Sequence, residues 1–135
     1  MKSPFQIVST MYEKDYFSQW LGIEVIESSE GKSILQTKVK KEMLNGFGIA
    51  HGGITYSLAD SALAFASNSH GKKAVSIETN ISHLKTVHEN DLLRATASLK
   101  SISNKIGLYE VEITNQNSIL VALFKGTVYR TSEDW

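Results

Sequence analysis

The sequence predicts an α+β fold, an antiparallel β-sheet wrapped around one long central helix, and three observations carry that expectation. A helix opens at His51-Gly52-Gly53 and runs to Asn68, nearly all of it apolar or small. A hairpin precedes it, and four segments of period-two alternation follow it, each parted from the next by a turn. One helix among so many antiparallel strands has to be covered by them.

From Pro4 to Trp20, Val8, Tyr12 and Tyr16, with Ile7, Met11 and Phe17 alongside, fit an amphipathic helix started by proline and ended by Gly22. Ile23 to Ile26 and Ser33 to Val39 read as strands around the turn Ser29-Glu30-Gly31-Lys32. In the central helix Ile54, Leu58, Ala59, Ala62, Leu63, Phe65 and Ala66 cover most of the wheel, so it is expected to be surrounded. Asn68-Ser69-His70-Gly71 stops it. In the strand from Ala74 to Leu84, Val75, Ile77 and Ile81 alternate with Ser76, Glu78, Asn80 and Ser82. Leu92 to Ile102 sets Ala95, Ala97 and Leu99 against Arg94, Thr96, Ser98 and Lys100; Tyr109, Val111 and Ile113 face away from Glu110 and Glu112; Ile119 to Arg130 makes the last strand.

A chain of 135 residues is expected to form a single domain, residues 1–21 as an N-terminal helix and 22–130 as the core. Fourteen basic and fourteen acidic residues cancel, which gives no electrostatic grip on nucleic acid or membrane. Without cysteine there is no disulfide, thiolate metal site or cysteine nucleophile. The first residues lack the apolar stretch of a signal peptide, no apolar run reaches membrane-spanning length, and the expected location is the cytoplasm. His70, His83 and His88 show no ligand spacing, so no metal is expected.

Asp60 is the chemical anomaly of the central helix. A carboxylate on a surrounded helix is costly unless partnered, and such groups titrate abnormally more often at working sites than elsewhere. The same wheel sets Ser57, Ala64 and Ser67 beside it, so a stripe facing water explains it equally well. Glycines at a helix start cost about 0.5–1 kcal/mol each relative to alanine, which fits a backbone that something approaches closely. Unpaired N–H groups there suit a carbonyl oxygen becoming an oxyanion; a tight loop-to-helix turn is the plainer alternative.

The order of hairpin, buried helix and long strands resembles the hotdog fold. The pattern Asn45-Gly46, His51-Gly52-Gly53 and Asp60, at these spacings, resembles the acyl-CoA thioesterases of the phenylacetic acid degradation (PaaI-like) group over about Gly22 to Arg130. The resemblance implies Asp60 as nucleophile or general base, Gly52 or Gly53 as oxyanion donor, and Asn45 and His51 as supporting polar groups. Ser76 falls where the family has an assisting Ser or Thr, although alternation sets it on a polar side with Glu78 and Asn80. His51 equally suits a cap at the helix start. Thioester hydrolysis asks for little more, since a thiol leaving group with a pKa of about 8.5 departs without strong acid assistance. Coenzyme A would enter as part of the substrate, with no resident cofactor.

Gly52 and Asp60 are eight residues apart, about 12 Å along a helix, whereas both must lie near one reacting carbonyl. One chain cannot supply both groups to one site. The expectation is a homodimer with composite sites on antiparallel central helices, and the resemblance implies that dimers pair again into tetramers. Arg94, Lys100, Lys105 and Arg130 are candidate ligands for the phosphates of coenzyme A, and Phe47, Tyr56, Leu63 and the Tyr16-Phe17-Trp20 cluster are candidates for the acyl pocket or for the core. Two other readings remain: a hotdog hydratase or dehydratase using His51 and Asp60, and a non-catalytic acyl-CoA binding protein.

Overall fold

The computed structural model describes residues 1–135. Two helices, α1 (Pro4–Lys14) and α2 (Tyr16–Trp20), precede the hairpin β1 (Glu24–Ser29) and β2 (Lys32–Lys38). The central helix α3 (Gly52–Asn68) is followed by β3 (Lys72–His83), β4 (Leu92–Ile102), β5 (Ile106–Thr114) and β6 (Leu120–Asp134). All strands join one antiparallel six-stranded sheet in the order β1-β2-β4-β5-β6-β3, which curls around α3 as a hotdog fold.

The single N-terminal helix expected from Pro4 to Trp20 is two helices. Asp15 breaks it, with φ −90° and ψ 75°, and caps the second by accepting from the Ser18 N–H at 3.0 Å. Aspartate stops one helix and starts another because its short carboxylate replaces a lost backbone partner. The last strand runs past Arg130 to Asp134, where Lys72 pairs with Asp134 at 2.6 Å across the β3–β6 ladder.

The core lies between α3 and the concave face of the sheet. Leu58, Ala59, Ala62, Leu63, Phe65 and Ala66 of α3 are 0–1 % exposed and meet Leu93, Ala95, Val111, Ile113 and Phe124. Each of the large side chains contributes about 1.5–3 kcal/mol over its exposed state. Close approach depends on Gly126 of β6, where a Cβ would lie 2.5 Å from Leu63 Cδ2. Ser33 Oγ ties β2 to the helix by donating to the Ala62 carbonyl at 2.7 Å.

The sheet has two open edges, β1 and β3. Of these, β3 exposes apolar groups as well as backbone: Val75 and Ile77 are each 59 % exposed. No helix is long and apolar enough to cross a membrane.

Candidate active site

Asp60 sits midway along α3, half-buried, and its carboxylate makes no hydrogen bond or ion pair within the chain. Burial pushes it above the ordinary carboxylate range, and the nearby charge of Asp15 pushes it the same way. Asp15 is held there by a relay: its carboxylate accepts from Ser18 Oγ at 2.6 Å, and Ser18 Oγ meets Ser61 Oγ of α3 at 2.8 Å. A cavity of about 400 Å³ opens beside Asp60, with Leu63, Ser67, Ser76, Val128 and Trp135 among its walls.

Ser76 reaches this cavity through a β-bulge. Ser76 pairs with Val128 and Glu78 with Thr127, so β3 spends two residues where β6 spends one. The extra residue, Ile77, reverses the alternation. Ser76 therefore shares the face of buried Val128, while Glu78 turns away from the helix. Strict alternation had grouped Ser76 with Glu78 and Asn80.

The N-terminal end of α3 is built differently. His51 is the N-cap, in extended backbone with φ −61° and ψ 138°, and its Nδ1 accepts from the Gly53 N–H at 2.9 Å. That bond occupies the Gly53 donor and leaves the ring proton of a neutral His51 on Nε2. The Gly52 N–H has no partner in the chain. Both glycines are crowded: a Cβ on Gly52 would lie 3.2 Å from His83 Nε2, and one on Gly53 3.1 Å from His51 Nδ1, so a side chain at either needs an imidazole to give by a few tenths of an ångström. Asn45 shapes the preceding loop, its Oδ1 accepting from the Phe47 N–H at 2.9 Å, while Gly48 takes φ +76°. The Asn45 side-chain amide donates to nothing in the chain.

Gly52 and Asn45 face a cavity of about 370 Å³ that also holds Thr55, His83 and Lys85. Asp60 and Ser76 face another. His51 and Gly53 lie in a third, of about 300 Å³, with Phe17 and Trp20. The chain thus presents its carboxylate and its free amide donor in separate places, as the 12 Å along the helix requires.

The four cations proposed for phosphate line none of these cavities. Arg94 donates to Gln36 Oε1 at 3.2 Å, Lys100 pairs with Glu110 at 3.5 Å, Lys105 lies 5.7 Å from the Tyr129 ring centre, and Arg130 donates to the Ser103 carbonyl at 2.8 Å. The cations that do line them are Lys85, beside Gly52, and Lys73, beside Asp60. Their positions at the two ends of β3 were the available signal, and both read as ordinary surface lysines. Of the candidate acyl-pocket residues, Phe47 is 90 % exposed, Tyr56 bonds Thr79 and packs edge-on to Phe124, and only Leu63 reaches the Asp60 cavity. Tyr16, Phe17 and Trp20 lie outside the core.

The family model of the thioesterase superfamily matches residues 47–122, which span both the loop with its two glycines and Asp60. This chain belongs to the thioesterase superfamily. Membership makes it a thioester hydrolase on a hotdog fold, and the resemblance to the PaaI-like group holds as well. It is 40 % identical over 126 residues to the acyl-coenzyme A thioesterase PaaI of Escherichia coli, covering 93 % of this chain and 90 % of that protein. The solved structure of the E. coli PaaI protein superposes with a TM-score of 0.95 at 38 % identity, over 97 % of this thioesterase and 95 % of that chain. A Streptococcus mutans protein solved with acetyl CoA bound is 27 % identical with a TM-score of 0.81, over 84 % of this chain and 91 % of that one.

Proposed function

We propose that this thioesterase hydrolyses aryl- or medium-chain acyl-CoA to the free acid and coenzyme A, in sites shared between two copies of the chain. The observation that carries the reading is the pairing of a half-buried carboxylate without a partner, Asp60, with an amide donor without a partner, Gly52 N–H, in separate cavities of one chain. A two-fold axis relating antiparallel α3 helices brings one copy's Asp60 toward the partner's Gly52 and makes two equal sites. The open β3 edge, with Val75 and Ile77 bare, supports self-association along that side.

In each site the ionised Asp60 removes a proton from water as it attacks the thioester carbon, or attacks that carbon itself to give a mixed anhydride that water then hydrolyses to the free acid and Asp60. The carbonyl oxygen becomes an oxyanion at the Gly52 N–H, and collapse breaks the carbon–sulfur bond and expels the thiolate. Ser76 and the Asn45 amide place the reacting groups, and His51 holds the helix end. Arg94, Lys100, Lys105 and Arg130 line none of the three cavities, whereas Lys85 lines the one that holds Gly52 and is the first cation to test for phosphate. Kinship with an acyl-coenzyme A thioesterase supports the coenzyme A substrate. Phenylacetyl- and hydroxyphenylacetyl-CoA, and a cytoplasmic setting, are the first specifics to test.

The test is steady-state hydrolysis of a panel running from phenylacetyl-CoA to long-chain acyl-CoA, with wild type and Asp60→Asn. Turnover by wild type and its loss in the variant is the expected result. A variant that turns over normally removes Asp60 from the chemistry. A wild type inert to every thioester favours a binding protein instead.

A further inference from the structure

We propose that the indole of Trp135 is the end wall of the acyl pocket and decides which acyl groups this thioesterase turns over. The inference rests on the acyl-CoA reading above and adds a specificity-determining residue to it.

Two turns of α3 line the Asp60 cavity. Asp60, Ala64, Ser67 and Asn68 line it at helical spacing, a stripe of about 12 Å from the carboxylate to the helix end. Met11, Leu63 and Val128 supply apolar walls. An acyl group whose carbonyl lies by Asp60 and Ser76 has this stripe to run along, and Trp135 stands by Asn68 at its far end.

The indole is fixed. Its Nε1 donates to Asn68 Oδ1 at 2.8 Å, and its backbone N–H donates to the Gly71 carbonyl at 3.0 Å. Asn68 is 2 % exposed and has no freedom to swing: Oδ1 also accepts from the Ala74 N–H at 2.9 Å, and Nδ2 donates to the Ala64 and Ala74 carbonyls at 2.9 and 3.1 Å. The Lys73 ammonium lies 5.5 Å from the indole centre and pairs with Glu133 at 3.3 Å. A wall anchored this way does not yield to a longer chain. It offers a flat aromatic face to an aryl ring or short acyl group, and overlap with it is felt at about 10- to 200-fold per methylene.

The experiment measures kcat/KM for phenylacetyl-, hexanoyl-, decanoyl- and palmitoyl-CoA with wild type, Trp135→Phe and Trp135→Ala. The expected result is a selectivity shift in Trp135→Ala of at least about 10-fold toward the longer chains relative to phenylacetyl-CoA, with Trp135→Phe, which keeps an aromatic face but loses the bond to Asn68, between Trp135→Ala and wild type. An active Trp135→Ala enzyme with wild-type selectivity overturns the proposal and leaves the thioesterase reading standing. A wild type that hydrolyses none of the four overturns both. Should Trp135→Ala not fold, emission of the indole in a Trp20→Phe background is followed during titration with a non-hydrolysable phenylacetyl-CoA thioether. A change in emission on saturation supports the wall, and unchanged emission with binding shown by calorimetry overturns it.

Discussion

The burial of Asp60, the proposed catalytic carboxylate, comes at the expense of the fold. Its carboxyl is raised in the native chain, so the folded state holds the proton more tightly than the unfolded one. The resulting cost is absent below the ordinary range near 3.9 and complete above the folded value, so this group's effect on stability worsens as pH rises through that window. Asp60→Asn is therefore expected to unfold at a higher temperature than wild type at pH 7 while losing turnover, measured by calorimetry alongside the assay. Asp15→Asn keeps the α2 cap but removes the charge, and the acid limb of its kcat/KM profile is expected at lower pH than in wild type. Gly52→Pro deletes the proposed oxyanion donor: proline is tolerated at the first helical position, His51 already has the extended backbone that precedes proline, and the His83 ring, 3.2 Å from the new Cβ, has to give by a few tenths of an ångström. A fall in kcat of about 10²- to 10³-fold with the helix intact is the expected outcome, and full activity removes Gly52 from the oxyanion site.

The architecture was legible in the sequence wherever hydrophobic period alone decides it. The strands and the central helix announced themselves through alternation in Tyr109, Val111 and Ile113 and through the largely apolar wheel around Leu58 to Ala66. Breaks of period were not legible. The bulge at Ile77 inserts one residue without changing composition, and so reversed the face of Ser76 unseen. Asp15 interrupts an amphipathic stretch whose apolar spacing survives the interruption. Trp135 carried no signal because its role depends on Asn68, 67 residues away. His51 was open between cap and proton carrier, and the bond from Gly53 makes it a cap. His51→Asn, another good cap, is expected to hold both stability and turnover, whereas His51→Ala is expected to lose about 0.5–2 kcal/mol by denaturant titration. Gly126→Ala pushes on Leu63 at the helix–sheet contact and is expected to cost about 1–3 kcal/mol by the same measurement.

The proposed assembly follows from what one chain leaves undone. Two inactive variants, Asp60→Asn and Gly52→Pro, are expected to regain activity when unfolded together and refolded, since a mixed dimer contains one site with both native groups. No recovery in a verified mixed dimer places both groups in one chain's site. Ile77→Lys puts a charge on the bare β3 edge, and smaller mass in light scattering is expected together with lost turnover; a fully active monomer contradicts the shared site.

The relay from Asp15 through Ser18 to Ser61 joins the leading helices to the helix that carries the reactive acid. Whatever detaches the first twenty residues also withdraws a negative neighbour and lets water reach Asp60. Both changes make Asp60 a stronger acid and a weaker base. On the proposed mechanism the leading segment is thus a tuning weight on the chemistry, able to shift the working pH of this thioesterase without a change in its glycine loop or its aspartate.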